Sequence, residues 1–169
     1  MQDMAQLERM FAEADEIGFR MELVGGIPTW ETSPVWGHQE ICFRIEMSLE
    51  QNRASGTENG CGCYHAPDVS LRFPDGSLKR PDIAVFCEKP EAVDETITGV
   101  PDAVIEIISK GYEKKDWEIG VPFYLKQGMN DIVVFDPFTL QVAHFQDGAR
   151  KDYTSPIALV SACSCTCTV

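Results

Sequence analysis

The segment 101–108 places a glutamate inside a run of apolar residues, and this feature limits the folds open to the chain. Glu106 is flanked by Ile105 and Ile107, and the β-branched residues around it predict a buried strand. A carboxylate is rarely buried without a partner, because removing its charge from water is costly. The segment therefore predicts a counter-charge close to Glu106.

A second carboxylate, Asp82, begins the earlier apolar run 82–86. Two acids on neighbouring central strands suggest a shared counter-charge, for which a divalent metal ion is the natural candidate. Buried acids also cluster at functional sites. Asp82 follows Pro81, however, so the alternative is a simple turn residue. Asp102, at the edge of the Glu106 strand, is expected to lie in solvent.

Length and charge narrow the class of protein. The 169 residues suit one domain, 1–169, with an N-terminal helix within 1–18. The 27 acidic residues outnumber the 14 basic ones, and a net charge of −13 disfavours broad nucleic-acid binding. It still permits a local basic site or a metal-bridged phosphate.

No apolar run approaches the roughly 18 residues of a membrane span. The N-terminus does not resemble a secretory signal, so we expect a cytoplasmic protein.

Hydrophobic periodicity and turn residues predict the order of the elements. The predicted helices are 3–17, ended by Gly18; one that starts with Ser33 as cap and Pro34 in its first turn and ends near 55–56; and 112–126, ended by Gly128. The predicted strands are 20–24, 27–30, 63–73 with an interruption near Pro67, 78–86, 101–108, 131–135 and 140–145. Turns are expected at 25–26, 74–77 and 146–148, with a loop at 57–62, a polar connection at 89–100, and one or two final strands. This order predicts a mixed α/β fold.

The seven cysteines are unusual for a chain of this size. Cys42 and Cys87 lie in apolar contexts and are expected to be small buried hydrophobic residues. The other five alternate with other residues as two C-x-C groups: Cys61 and Cys63, then Cys163, Cys165 and Cys167. Such alternation favours a strand with a cysteine-lined inner face. Metal binding and disulfide formation remain open alternatives.

Six segments together resemble a known family. They are Met21-Glu22-Leu23-Val24-Gly25-Gly26; Ser33-Pro34 through His38; Ala66-Pro67-Asp68-Val69-Ser70-Leu71; Arg80-Pro81-Asp82-Ile83; Gly99 through Ser109; and Asp116 and Tyr124 with the strand Val133 to Pro137. In order and spacing they resemble the Uma-type restriction endonucleases, a bacterial branch of the PD-(D/E)XK nuclease superfamily. The alternating-cysteine tail resembles the family's final strand. The resemblance covers nearly the whole chain from about Arg20.

This resemblance implies an α/β restriction-endonuclease-like core with a mixed central β-sheet flanked by helices. It implies that Asp82 and Glu106 hold Mg²⁺, with Mn²⁺ as an alternative, and that Glu22 and His38 lie near the same site. The implied activity is metal-assisted hydrolysis of DNA phosphodiester bonds. A homodimer would suit the cutting of two strands.

The expected lysine is missing from both positions that the resemblance indicates. The superfamily places a lysine two residues after the strand glutamate, where this chain has Ile108. The Uma-type branch places one on the following helix, where this chain has Gly120. Lys110 and Lys114 are the candidate replacements. Helical geometry turns Lys114 and Lys115 away from the face of residues 116, 120 and 124. Gly120 and Pro122 also weaken this helix, which is expected to break or kink near Pro122.

Other candidate residues have ordinary structural alternatives. His38 can be a site residue or a hydrogen-bonded core histidine, and Glu22 a site residue or an exposed strand acid. His65 and His144 are interpreted as structural or surface residues, and Trp117 and Tyr124 as packing residues of the crossover helix.

Two functions therefore compete. The first is a Mg²⁺-dependent DNA endonuclease, which the paired carboxylates and the family resemblance favour. The second is a catalytically impaired relative that acts as a binding or interaction module, which the missing lysine and the acidic charge favour. A non-nuclease hydrolase using the same metal site is a weaker third.

Overall fold

In a computed structural model the chain is described over residues 4–51, 61–91, 96–161 and 163–169, and the structural statements below concern these residues. The helices are α1 (Met4–Glu16), α2 (Trp36–Ser48) and α3 (Val121–Lys126), and a π-helical segment (Lys115–Gly120) leads directly into α3. The strands are β1 (Phe19–Val24), β2 (Ile27–Thr32), β3 (Glu50–Gln51), β4 (Tyr64–Pro67), β5 (Leu71–Arg72), β6 (Leu78–Lys79), β7 (Ile83–Phe86), β8 (Ile97–Thr98), β9 (Ala103–Ile107), β10 (Asp131–Asp136), β11 (Gln141–Gln146), β12 (Ala149–Thr154), β13 (Ala158–Val160) and β14 (Cys165–Thr168).

The central sheet is mixed, as predicted. Its order is β12-β11-β10-β9-β7-β4. β9 and β10 are parallel, and the other neighbours are antiparallel. Parallel neighbours need a crossover connection, and the π-helical segment with α3 supplies it. β9 is buried along its whole length, which accounts for the continuous apolar run around Glu106.

Two smaller sheets complete the fold. One has the order β2-β1-β6-β5-β8, and the other has the order β13-β14-β3. The predicted hairpin of β1 and β2 is confirmed, with Gly25 and Gly26 both at positive φ in its turn. β1 joins β6 through Leu23 and Leu78. This pairing brings β1 next to the segment that leads into Asp82.

Each face of the central sheet has its own hydrophobic core. Ile105 and Ile107 of β9 point into a cluster that also holds Ile45 of α2. Val104 points into the opposite cluster, which holds Tyr124 of α3. Glu106 lies between Ile105 and Ile107 in a strand of alternating side chains, so it points towards the α3 side.

α2 differs from its prediction at both ends. Its N-cap is Val35, which offers no side-chain hydrogen bond, and the helix begins at Trp36 rather than at Pro34. The Ser33 hydroxyl instead donates to the carbonyl of Gly18 at 3.1 Å. The helix ends at Ser48, because the chain becomes extended at Leu49 and continues into β3, which pairs with β14. The predicted end at 55–56 and the predicted loop residues 57–60 lie outside the described part of the chain.

Two long predicted strands are each divided in the structure. The segment 78–86 forms β6 and β7, which belong to different sheets, and the chain changes sheet at Arg80 and Pro81. Proline cannot donate a ladder hydrogen bond, which explains the interruption. The segment 63–73 is divided after Pro67, where Asp68 has a positive φ of 51°. The polar connection 89–100 contains the short strand β8, which pairs with β5, while residues 92–95 lie outside the described ranges.

The cysteine prediction is confirmed only in part. Cys165 and Cys167 are buried on one face of β14, whereas Cys163 precedes the strand. Cys61 and Cys63 are buried but lie before β4 rather than in it. Cys42 is buried as expected. The prediction for Cys87 is wrong, because this residue forms a disulfide with Cys61.

None of the helices in the described ranges combines the length and apolar character needed to cross a bilayer.

Candidate active site

The two predicted carboxylates are neighbours across adjacent strands. Ile83 of β7 pairs with Ile105 of β9 in antiparallel register, so the next position places Asp82 opposite Glu106. Two hydrogen bonds link them. The Asp82 amide donates to Oε2 of Glu106 at 3.2 Å, and the Ile107 amide donates to Oδ2 of Asp82 at 2.8 Å. Both side chains are buried.

Cationic groups keep Asp82 ionised. Nε2 of His38 lies 3.3 Å from Oδ2 of Asp82, and a guanidinium nitrogen of Arg20 lies 3.6 Å from Oδ1. Burial alone would raise the pKa of Asp82. The hydrogen bond and charge of His38, the Ile107 amide and the charge of Arg20 outweigh burial and hold this pKa below its usual value.

The pKa of Glu106 is raised, whereas that of Asp82 is lowered. Its Oε1 accepts a hydrogen bond of 2.5 Å from the Tyr124 hydroxyl. Burial raises its pKa, the charges of Lys79 and Lys115 lower it, and repulsion from Asp82 and Glu22 raises it, and the net value is about 7. The two carboxylates of the pair therefore differ in acidity, as is common where acids share a functional site. Tyr124 was interpreted as a packing residue, and the sequence gives no signal for its bond to Glu106.

Glu22 organises the lysines of the site. Its Oε2 lies 2.9 Å from Nζ of Lys79 and 3.3 Å from Nζ of Lys115, and its Oε1 accepts the Arg80 amide at 3.0 Å. Burial would raise the pKa of Glu22, but these two lysines and the Arg80 amide lower it to about 2. Glu22 is thus a buried ion-pair partner in the site, and not an exposed strand acid.

The lysines whose charges lower the pKa of Glu106 are not the two predicted ones. Lys79, at the end of β6, is almost fully buried, and its ammonium group lies 5.3 Å from the centre of the Tyr124 ring. Lys115 also pairs with Glu31 at 2.9 Å. Both lower the pKa of Glu106. The predicted replacements, Lys110 and Lys114, are solvent-exposed.

The π-helical segment explains why the predicted orientation of Lys115 was wrong. The Val121 amide bonds to the carbonyl of Asp116, five residues earlier, so the α-helical spacing used for the prediction does not apply here. Pro122 lacks the amide that an α-helix would use at that point, which favours the wider turn. The break expected near Pro122 therefore takes the form of a π-helix.

Gly120 marks the position of the missing lysine. A Cβ atom on Gly120 would lie 4.0 Å from Nζ of Lys79. The ammonium group of Lys79 therefore lies beside the position from which the family's helical lysine would extend. Ile108, at the other expected lysine position, is instead a buried core residue at 2% exposure.

A third buried acid adds to the negative charge. Asp116 lies in the π-helical segment, and burial followed by repulsion from Glu106 raises its pKa to about 8. Asp116 and Glu106 are the two carboxyl groups whose acidity is most suppressed. A bound cation would relieve both, and carboxylate oxygens are the ligands that Mg²⁺ and Mn²⁺ prefer. The donor type thus fits a hard divalent ion, while among the described residues Asp82, Glu106 and Asp116 do not form a group of three whose ligand atoms all lie within 4.8 Å of one another.

His38 is a buried residue of α2 that contacts Asp82. Its Nε2 lies 3.1 Å from the carbonyl oxygen of Ile107, and its Nδ1 lies 3.5 Å from Sγ of Cys42. Burial would lower its pKa, but Asp82 and Cys42 raise it to about 11. His38 is therefore a cation paired with Asp82 at neutral pH.

Replacing His38 with Gln should change how stability depends on pH. A histidine whose pKa rises from 6.5 to about 11 on folding stabilises the protein fully below pH 6.5, and this contribution disappears as pH rises to about 11. Urea unfolding at pH 6, 8 and 10 should show a decline in the wild type that is smaller in the variant. His65→Gln, at a partly buried histidine, is the matched control and should retain the wild-type decline. Equal slopes in wild type and His38→Gln would contradict the charged state of His38.

A cleft of about 420 Å³ opens next to this histidine. Its walls include His38, Ile108, Lys110 and Phe138. Phe138 is largely exposed, and Lys110 is an exposed cation of the wall, which also includes the acid Glu31. The cleft therefore reaches from the surface to His38.

The remaining histidines and Asp102 lie away from this group. His144 is buried, and its Nε2 is 2.8 Å from Oδ1 of Asp131. His65 is partly buried and 3.9 Å from Glu46. Asp102 is exposed, as predicted, and accepts the Cys87 amide.

A mixed sheet with a βαβ crossover, carrying opposed buried carboxylates beside lysines, defines a nuclease-type α/β fold. The chain belongs to the Uma2 family, described as "Putative restriction endonuclease", whose model matches residues 1–163. A solved structure with a similar fold, from Anabaena variabilis, is described as "a putative nuclease belonging to DUF820". It has a TM-score of 0.64 and 20% identity, over 85% of this chain and 81% of that one. A search of curated proteins finds no match.

Proposed function

We propose that the protein is a Mg²⁺-dependent DNA endonuclease, with Asp82 and Glu106 as the metal-holding residues. The observation that carries this proposal is the buried pair itself, in which each residue is hydrogen-bonded to the other's strand. A buried acid pair is costly for folding alone, so its presence beside two lysines favours a functional explanation.

Asp82 and Glu106 would hold the ion, with Asp116 as a further acid close enough to affect Glu106. When bound, Mg²⁺ or Mn²⁺ would polarise a phosphoryl oxygen and lower the pKa of an attacking water. His38 and Arg20 keep Asp82 ionised, and Tyr124 fixes the orientation of Glu106. The protein thus presents preformed oxygen ligands rather than flexible ones.

Lys79 and Lys115 would stabilise negative charge on the phosphate. Both are held by Glu22, so their ammonium groups are oriented before any substrate binds. Preorganised charge is worth more in a buried site than in water. Lys110 and Lys114 are exposed, and we propose that they contact DNA phosphates at the entrance.

The strong negative charge of the chain predicts weak general affinity for DNA. Few exposed cations would contact phosphates, so few counterions would be released and the salt dependence of binding would be shallow. Selection of the substrate would then depend on the site more than on the surrounding surface. A homodimer, a single domain and a cytoplasmic location stay predictions.

A plasmid-nicking assay tests the proposal. Wild-type protein should nick supercoiled DNA with Mg²⁺ or Mn²⁺ and stop when EDTA is added, and Asp82→Ala/Glu106→Ala should be inactive. Asp102→Asn is the matched control, since it changes an exposed acid beside the same strand and should keep wild-type activity. Cleavage that is independent of metal, or equal in the double variant, would overturn the proposal.

One observation favours the alternative function, an interaction module without catalysis. Both oxygens of Asp82 already face protein cations, namely His38 and Arg20. Calorimetric titration with Mn²⁺ separates the two functions. A folded wild type that neither cleaves DNA nor binds Mn²⁺ would support the interaction module.

A further inference from the structure

Five of the seven cysteines converge at one place, although they come from three separate parts of the chain. Cys61 and Cys63 precede β4, Cys87 follows β7, and Cys163 and Cys165 lie at the start of β14. The sulfurs of Cys61, Cys87 and Cys163 all lie within 4.8 Å of one another, as do those of Cys61, Cys63 and Cys165. We call these five residues the cysteine cluster. Cys61 belongs to both groups and is its centre.

Tight turns produce this convergence, which an extended chain could not. In a strand, residues two apart are separated by roughly 7 Å and their sulfurs do not meet. Here Cys63 has a φ of 50° and Ser164 a φ of 64°, which are left-handed values that an extended strand does not adopt. The Ser161 hydroxyl accepts the Cys165 amide at 3.0 Å, and this bond fixes the second turn.

Two sulfur–sulfur distances in the cluster suit a tetrahedral thiolate site, and two further pairs of sulfurs are joined as disulfides. Sγ of Cys165 lies 3.5 Å from Sγ of Cys61 and 3.6 Å from Sγ of Cys163. Thiolates bound to Zn²⁺ at about 2.3 Å in a tetrahedron lie about 3.8 Å from one another. Structural zinc sites commonly use four cysteines, and this cluster offers five.

The surroundings also suit a soft metal ion. Cys61, Cys63 and Cys165 are buried at the edge of the core that contains Ile105 and Ile107, while Cys87 and Cys163 remain partly exposed. Buried sulfurs exclude competing water, and the exposed ones leave a route for the ion. Glu106 points towards the other face of the sheet, so this cluster is separate from the acidic site.

We propose that the reduced protein binds one Zn²⁺ ion at the cysteine cluster, with Cys61 and Cys165 at the centre of the site and the other ligands drawn from Cys63, Cys87 and Cys163. The ion would tie the chain before β4 to the C-terminal strand β14. Each cysteine would bind as thiolate and release its proton to the solvent.

The metal form and the disulfide form are alternatives on the same residues. In the structure Cys61 is bonded to Cys87 and Cys63 to Cys165. Two molecules of a low-molecular-weight thiol reduce each disulfide, together supplying two electrons and two protons and becoming one disulfide. The four thiols released, together with Cys163, can then bind the ion.

Metal analysis of the reduced full-length protein tests the proposal. Protein purified with a thiol reductant should retain one equivalent of Zn²⁺, and Co²⁺ in its place should show thiolate charge-transfer and tetrahedral d–d absorption. Cys165→Ser should weaken Zn²⁺ binding by more than about 100-fold, the upper end of what even outer-shell changes cost. Cys167→Ser is the matched control on the same face of β14 and should keep one equivalent.

Two results would overturn the proposal. One is a reduced wild type with all cysteines titratable as free thiols in the presence of Zn²⁺. The other is Co²⁺ absorption without thiolate character, which would place the ion at carboxylates instead. Both readouts use the wild type, so they hold even if Cys165→Ser fails to fold. Neither depends on nuclease activity.

Discussion

Replacing Glu106 with Gln should abolish metal-dependent cleavage and, in metal-free buffer, raise the free energy of unfolding. The amide removes the charge that a cation would need, while its oxygen can still accept the Asp82 amide and its nitrogen can donate to the Tyr124 hydroxyl. A bound metal supplies several kcal/mol of transition-state stabilisation, so we expect cleavage to fall by a factor of about 100 or more.

The gain in stability follows from the pKa of Glu106. Folding raises this pKa from 4.5 to about 7, so the folded state binds more protons than the unfolded state between these values. Wild-type stability therefore falls as pH rises from 4.5 to 7, by up to about 3 kcal/mol at 1.36 kcal/mol per unit. Glutamine does not titrate, so the advantage of the variant should develop over this pH range and persist above it.

Bound metal should make the wild type more stable than Glu106→Gln. An ion that binds the folded wild type stabilises it by mass action, and the variant lacks a charged ligand. Urea unfolding at pH 8, with EDTA and then with Mn²⁺, measures both effects. Glu118→Gln, at an exposed acid of the π-helical segment, is the control and should change neither. A variant less stable than wild type in EDTA would contradict the raised pKa of Glu106.

The acidic pair could be predicted because its signal is local. Glu106 within an apolar strand is anomalous from its immediate neighbours alone, and Asp82 has a comparable position in the preceding strand. The β1–β2 hairpin was equally accessible, since two glycines between apolar runs specify a tight turn. These features depend on residues close together in the chain.

The cationic half of the site could not be predicted in the same way. Lys79 lies in a short strand next to a turn, and only the pairing of β6 with β1 brings it to Glu22. Lys115 was placed on the wrong face because the π-helical segment changes the helical period. Sequence periodicity assumes one regular geometry, so it fails where the backbone departs from that geometry.

The arrangement of the cysteines also depends on backbone geometry that sequence periodicity does not predict. Alternation in sequence predicted a strand face, and β14 confirms it for Cys165 and Cys167. The turns at Cys63 and Ser164 depend on positive φ angles at residues other than glycine, which no pattern in the sequence indicates. The convergence of three segments is a property of the tertiary fold alone.

Replacing Lys79 with Met should reduce cleavage by a factor of about 100 and destabilise the fold by about 3 kcal/mol. Methionine keeps the length of the side chain but leaves Glu22 without its 2.9 Å ion pair, and removing one partner from a buried pair is costly. Losing one preorganised charge at a reacting phosphate has a comparable effect on rate. Lys126→Met, at an exposed lysine of α3, is the control, and its effect on stability should stay within about 0.5 kcal/mol.

A second lysine placed at Gly120 separates the catalytic effect from the structural one. Gly120 has a helical φ of −62°, and the nearest atom to an added Cβ is the Lys115 carbonyl oxygen at an ordinary 3.6 Å. Replacing this glycine also favours the helix by up to about 1 kcal/mol. Lys79→Met/Gly120→Lys should therefore recover cleavage, because its ammonium group can enter the space that Lys79 leaves. Lys79→Met/Gly120→Ala should regain at most about 1 kcal/mol of the lost stability and no cleavage, because Glu22 remains without its ion pair. If the two double variants cleave equally, Lys79 acts only through folding. The hypothesis that Lys79 takes the place of the family's helical lysine would then be wrong.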